Sequence, residues 1–429
     1  MSEVNTIVKK SPDNILPMII LILLTLLIPY VATGEDIKEN EVITIEKAVS
    51  IALSNHPDIR VAEANIRVYE SRLGQMRSDY YPSISLNTGI TRYSSGKDDT
   101  NFTSSINLSQ NIYDFGKRES KVRIEDLNLA SSSEELSNTR GQVILSVKKA
   151  YLAGLQAKAS LEVAKEVVKQ NYEHLKKARG FYETGLKARY EVTKAEADLA
   201  NSKTNLLRAD NVYRLAITTL KNAMAVPYAP DFELQDVLPA EMINQSVDSL
   251  IQKALSNRQD YTSLKLKQKA QETKVTLQRS LNYPSITGNM QYGISGDKTP
   301  FDKHWTVSAM LSLPIFTGFS TKYQIQEALA TLSSIKAQTE ALMQKIILEV
   351  RQAYLNMLEA NQRIESAKMT LKYAEENLEL ANGRYAAGIG SPIEVSDALT
   401  TYITAKNSLI NAQYDYNIAI AELKRAIGE

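Results

Sequence analysis

The sequence predicts a mainly α-helical chain that carries a membrane β-barrel, built from a helix–strand–strand–long helix–helix unit written twice. Three observations predict it. Sequence features recur at a fixed offset across the whole chain. Long proline-free stretches show helical periodicity. Four short segments alternate between apolar and uncharged polar residues.

The repeat comes first, because it organises everything else. Ala52-Leu53-Ser54-Asn55 recurs as Ala254-Leu255-Ser256-Asn257, and Tyr81-Pro82-Ser83-Ile84 as Tyr283-Pro284-Ser285-Ile286, both at an offset of 202. One inserted residue then moves the offset to 203, where it stays. Ala150-Tyr151-Leu152 matches Ala353-Tyr354-Leu355, Tyr182 and Gly185 match Tyr385 and Gly388, and Glu191-Val192 matches Glu394-Val395. The first repeat is expected over 43–226 and the second over 248–429, joined by a segment at 227–247.

Each unit opens with a helix of some twenty residues, at 57–79 and 259–281. Beyond the strands, proline is absent between Pro82 and Pro227 and between Pro314 and Pro392. Proline costs about 3 kcal/mol inside a helix, so such spans favour helix. Long helices are expected over about 117–181, 188–224, 320–384 and 392–427. Ile144, Val147, Tyr151 and Leu155 recur at spacings of three and four, and Ile347, Val350, Tyr354 and Leu358 repeat the pattern. This is the apolar seam of packed antiparallel helices.

Strands are expected at about 83–93, 101–113, 285–295 and 304–316. Ile84, Leu86 and Ile90 alternate with Ser83, Ser85 and Asn87, and Trp305, Val307, Ala309 and Leu311 with Thr306 and Ser308; Met310 breaks the pattern. Alternation with period two gives a sheet one apolar and one polar face. A half-buried soluble sheet reads the same way. Three features favour lipid: strand lengths suited to a tilted membrane strand, a polar face of Ser, Thr, Asn and Gln, and aromatic residues at the strand ends. Those are Tyr80, Tyr81, Tyr93, Tyr113, Tyr283, Trp305 and Phe316, candidates for the interfacial girdles of a barrel. Four strands cannot close a membrane barrel, and open edges in lipid leave backbone groups unpaired. The chain must therefore assemble with copies of itself, at least as a dimer; a trimer gives twelve strands continued by twelve helical struts.

Composition closes off other classes. With 50 basic and 49 acidic residues the formal charge is +1, and a nucleic-acid surface would need clustered basic excess. There is no cysteine, which removes disulfides, thiolate zinc sites and cysteine nucleophiles. His56, His174 and His304 are scattered, so no metal or cofactor is expected, and His56 beside Pro57 fits a helix entry. No phosphate loop or nucleophile elbow is present, so no enzyme is expected. Lys9 and Lys10, an uncharged run from Ile15 to Thr33 and Ala32-Thr33-Gly34 read as a signal peptide over 1–34, with a retained membrane helix as the rival. A pore-less coiled-coil scaffold is the alternative to a channel; it explains the helices but not the strand hairpins.

The duplicated order resembles the TolC family of outer-membrane efflux proteins. Asn55-His56-Pro57, Tyr81-Pro82-Ser83, Ile112-Tyr113-Asp114-Phe115-Gly116, Leu313-Pro314-Ile315-Phe316-Thr317-Gly318 and the turns Tyr182–Gly185 and Tyr385–Gly388 carry the resemblance, from about residue 43 to the end. It implies a trimeric twelve-stranded barrel on a long α-helical periplasmic tunnel in the outer membrane. It also implies a periplasmic adaptor, an inner-membrane pump of the RND or ABC type, and passive export in efflux or type I secretion.

The tunnel tip is the candidate site. Gly388-Ile389-Gly390-Ser391-Pro392-Ile393-Glu394 ends one helix and begins another. Gly388 and Gly390 permit positive φ, and Ser391, Pro392 and Glu394 read as a capping box. By resemblance, Glu394 and Asp397 match acidic residues lining the periplasmic entrance, and Tyr385 matches a tyrosine of the closing links, whose arginine partner falls at Gly390. The turns at Gly185-Leu186 and Gly388-Ile389-Gly390 are the expected adaptor contacts.

Overall fold

The computed structural model describes residues 37–94, 98–237 and 243–429; the expected signal peptide lies outside them. The first repeat runs β1 (Val42–Ile43), α1 (Ile45–Asn55), α2 (Pro57–Ser78), β2 (Ser83–Ser94), β3 (Asp98–Tyr113), α3 (Lys117–Glu183) and α4 (Arg189–Ala223). The second runs β4 (Glu233–Leu234), α5 (Val247–Asn257), α6 (Gln259–Ser280), β5 (Ser285–Gly296), β6 (Asp302–Ser312), α7 (Ser320–Ala386) and α8 (Pro392–Ala426). No described helix is long and apolar enough to cross a membrane.

Local chemistry sets the helix boundaries. Thr44 caps α1 by accepting from the Lys47 N–H at 3.1 Å, and Ser246 does the same for α5 with Ser249 at 3.3 Å. His56 Nδ1 accepts from the Asp58 N–H at 3.2 Å and Pro57 opens α2, so His56 is a capping residue. Helices α3 and α7 each contain 67 residues, about 100 Å at 1.5 Å per residue.

Strands β2, β3, β5 and β6 form one antiparallel sheet in that order, leaving β2 and β6 as free edges. The register aligns side chains into rows. Ile84 opposes Leu108, Leu108 opposes Met290 and Met290 opposes Val307; Leu86, Ile106, Tyr292 and Trp305 form a second apolar row. The opposite face carries Ser83, Ser109, Asn289 and Ser308, then Ser85, Asn107, Gln291 and Thr306. Ser109 donates to Asn289 across that polar face at 2.8 Å. Met310 does fall on it, beside Thr287. The last strand ends at Ser312, not at 316: Pro314 has no N–H for a ladder. Phe316 accordingly lies beyond the strand, stacked edge-on at 5.5 Å against Phe319.

The aromatics divide between the two ends of the sheet. Tyr113 packs on Phe115 at 4.6 Å and Phe115 on Tyr283 at 6.2 Å, with Tyr80 and Tyr81 exposed just before β2. Trp305 sits toward the opposite end, across from Tyr292; the side chain of Tyr93 lies outside the described residues. Where sheet meets helix, buried Arg118 bonds Asp114 at 3.1 Å and the carbonyls of Asn111 and Ile112 at 2.8 and 3.2 Å. The second repeat makes the same joint with Thr317 and Thr321, 3.1 Å apart.

Two matching cores hold the middle. One gathers Ile43, Ile51, Val147, Tyr151, Leu220 and Leu234, the other Leu250, Val350, Met357, Ile420 and Leu423. The hydroxyl of Tyr151 donates to the carbonyls of Ile43 and Gln235 at 2.7 and 2.8 Å, tying α3 to the small parallel β1–β4 pair.

Candidate functional site: the helical tip

The two long hairpins end together, α3–α4 and α7–α8, each with its own small core. Tyr385 is the centre of the joint, 1% exposed. Its ring lies 5.7 Å from Phe181 and 4.8 Å from the His174 imidazole, both on α3. Its hydroxyl donates to Glu191 Oε2 at 3.2 Å. Burial first, and the Glu191 carboxylate second, push its pKa up to about 12, so it remains a donor at any physiological pH.

Lys187 adds a second tie between the hairpins. Its ammonium donates to the Gly390 carbonyl at 3.3 Å and lies 3.5 Å from Glu191. In the repeat register Lys187 is the counterpart of Gly390. Higher up, Glu166 of α3 accepts from Lys406 at 2.6 Å and Tyr402 at 3.1 Å, both on α8. Burial pushes the Glu166 pKa up, but these bonds outweigh it and hold the carboxyl below its usual range. Between these levels lies a cleft of about 430 Å³, lined by His174, Lys177, Asp198, Asn382 and Ser396 among others.

The turns differ from expectation in two respects. Gly388 takes φ +79°, as a helix C-terminus requires, but Gly390 is not left-handed. It is glycine because a Cβ there would sit 2.7 Å from the Tyr385 nitrogen and 2.9 Å from the Arg384 carbonyl carbon. The arginine that the resemblance led one to expect at this position would have its Cβ pressed on that backbone. Nor does Glu394 complete a capping box. Ser391 caps α8 alone, accepting from the Ile393 N–H at 3.2 Å, while the Arg384 guanidinium draws the Glu394 carboxylate to 3.3 Å. Asp397 is exposed and its carboxylate makes no ion pair or hydrogen bond among the described residues. At the outermost point Leu186 and Ile389 are exposed beside Gly185, which takes φ +74°.

Glu191, Lys187 and His174 were not singled out by the sequence. The repeat register carried a signal for the first, since Glu191 is the counterpart of Glu394. Among the described residues no cluster of three His, Asp or Glu side chains could hold a metal ion.

The family model described as outer membrane efflux protein matches residues 48–226 and 250–429. The chain belongs to that family. It is therefore an outer-membrane protein of efflux, with its long helices in the periplasm. It is 24% identical over 404 residues to the outer membrane protein TolC of Escherichia coli, covering 88% of this chain and 80% of TolC. It is 22% identical over 406 residues to the probable outer membrane lipoprotein SilC of Salmonella typhimurium, covering 90% and 85%. The efflux-protein fold is shared with crystal structures of CusC, at TM-score 0.82 and 17% identity over 92% of this chain and 95% of that one. The Campylobacter jejuni CmeC outer membrane channel matches at 0.81 and 18% over 92% and 90%.

Proposed function

We propose that three copies of this chain form a closed duct that passively exports material handed to it by an inner-membrane pump through a periplasmic adaptor. The sheet carries the reading. Its apolar face, its polar face of mostly Ser, Thr, Asn and Gln, and its two free edges suit lipid outside, water inside and further strands on either side. Three copies supply twelve strands, and α3, α4, α7 and α8 continue them as a tube about 100 Å long. The duct performs no chemistry. Leu186 and Ile389, held out by the turns at Gly185 and Gly388, form the apolar knuckles for the adaptor.

In this reading the tip is the gate. Asp397 lines its mouth with uncompensated negative charge. Glu394 stands on the same face, three residues earlier, with its charge offset by Arg384. Tyr385 holds the wall shut from behind through Glu191. The purified protein should run in detergent with the mass of three copies and form an ohmic, cation-favouring conductance in planar bilayers. A monomer that is soluble without surfactant would overturn the proposal.

A further inference from the structure

The cleft between the two hairpins of the tip, about 430 Å³ in volume, is more polar than packing alone requires. Asn171 of α3 lines it and is 8% exposed, and its side-chain amide makes no hydrogen bond among the described residues. A buried amide without a partner destabilises the packed state. The internal repeat shows that this seat needs no polar group: at the offset of 203 the second repeat has Ala374, 4% exposed. Packing therefore does not account for Asn171, whereas a ligand would.

The other groups around the cleft define what such a ligand is. His174, one turn along α3, has two ring nitrogens that make no hydrogen bond among the described residues. Burial lowers its pKa, so at neutral pH the ring is uncharged and presents one donor and one acceptor. Asn382 of α7 adds a second amide without a partner among the described residues. Leu378, Val395 and Leu399, at 7%, 4% and 7% exposure, form an apolar wall. The carboxylates of the lining are already matched, Asp198 by Lys194 at 2.5 Å and Glu166 by Lys406 at 2.6 Å. Lys169, Glu173 and Lys177 are exposed to water. An ion would meet no unpaired charge in the buried part of the cleft, which makes its desolvation costly.

We propose that this cleft binds a small uncharged molecule carrying an aromatic ring and an amide or hydroxyl. The ring lies on the wall of Leu378, Val395 and Leu399, and the polar ends bond Asn171, His174 and Asn382. The volume is that of a small-molecule site. Both hairpins contribute to it, and Ser396 of α8 reaches Asp198 of α4 at 3.5 Å, so the site is complete only while the hairpins are packed. The ligand therefore favours the packed tip, and His174 carries its effect to the Tyr385 ring 4.8 Å away. The site stands apart from the duct reading; only its effect on opening rests on the tip being the gate.

The probe is 4-hydroxybenzamide, with 4-hydroxybenzoate and 4-hydroxybenzamidine as its anionic and cationic isosteres. Equilibrium dialysis against the full-length protein in detergent, corrected with empty micelles, should show saturable binding of the amide, about tenfold or more tighter than either ion. Asn171→Ala, which copies the residue of the second repeat, and Asn382→Leu on the other hairpin should each weaken it about tenfold. At about ten times the dissociation constant the packed tip is favoured about elevenfold more, read as protection factors raised by that ratio at the amides around Tyr385. No saturable binding, equal binding of an ion, or binding untouched by both substitutions would overturn the site. Binding with unchanged protection would overturn its coupling to the tip. Raised protection with an unaltered open probability in planar bilayers would keep the site and remove the gate reading.

Discussion

Tyr385 donates its hydroxyl to Glu191 at 3.2 Å across 194 positions of sequence, and this bond joins the end of one long hairpin to the start of the other hairpin's return helix. It is a buried donor on a charged acceptor, which contributes about 1.5–3 kcal/mol. Lys187 beside Glu191 shares that carboxylate, which places the expectation at the lower end.

Tyr385→Phe keeps the ring against His174 and Phe181 and removes only the hydroxyl. With about 1.5–2 kcal/mol lost, the open mouth should be favoured about 12- to 30-fold more. Single-channel recording in planar bilayers reads this as open probability. The Tyr385 pKa is raised, so the protonated donor's contribution is complete below pH 10 and lost as pH rises toward about 12. The wild-type closure should therefore not change between neutral pH and about 10 through this bond. An open probability unaltered by Tyr385→Phe would remove the latch.

Asp397 and Arg384 should act in opposite directions on selectivity. Glu394 is offset by Arg384 at 3.3 Å, which leaves the Asp397 carboxylate as the unbalanced charge on that face. A ring of such groups favours cations. Asp397→Asn should lower the cation-to-anion permeability ratio, and Arg384→Gln should raise it by freeing Glu394. Reversal potentials in a salt gradient measure both, and equal potentials in all three proteins would place these residues away from the pore.

What the sequence made legible follows from the range of the interactions. The strand faces were readable because period two is written in neighbouring residues; Ile84, Leu86 and Ile90 need no partner to declare a side. The duplication was readable because a fixed offset survives substitution. Tyr385 was found only through resemblance, and its partner Glu191 was missed, because nothing local to either marks the other. Gly390 was assigned the wrong reason: a missing Cβ looks the same whether the backbone needs a left-handed φ or a close approach. The end of β6 was placed late because Leu313 and Ile315 continue the alternation while Pro314 ends the hydrogen bonding.

His174 gives the tip a dependence on mildly acidic pH. Burial lowers its pKa; Asp198 and Glu191 on α4 oppose the shift, while Lys177 on α3 and Lys194 on α4 reinforce it. Because the packed state holds the lowered value, protonation favours states in which the imidazole reaches water. Packing of the tip should be at full strength above 6.5, the ordinary histidine value, and weaken as pH falls below it. The protection factors of the amides around Tyr385, which correct for the intrinsic fall of exchange with pH, should drop over that range in the wild type. His174→Leu should flatten the profile, and a profile unchanged by that substitution would show that another group governs it.

Gly388→Ala and Gly390→Ala separate turn strain from the latch. At Gly388 a Cβ meets open space, and the cost is the left-handed φ of +79° alone, about 1–2 kcal/mol. At Gly390 the φ is unremarkable, but the Cβ presses on backbone atoms of Arg384 and Tyr385 that cannot rotate away, at about 1–3 kcal/mol. The relief for that clash is to move the Tyr385 backbone, which lengthens the bond to Glu191 and the Gly390 N–H bond to the Arg384 carbonyl, 2.9 Å at rest. Both variants should make the hairpin end more sensitive to limited proteolysis. Only Gly390→Ala should also raise the open probability, and combining it with Tyr385→Phe should add little further, because both act through the one bond. Full additivity of the two would mean that Gly390 and Tyr385 influence the mouth by separate routes.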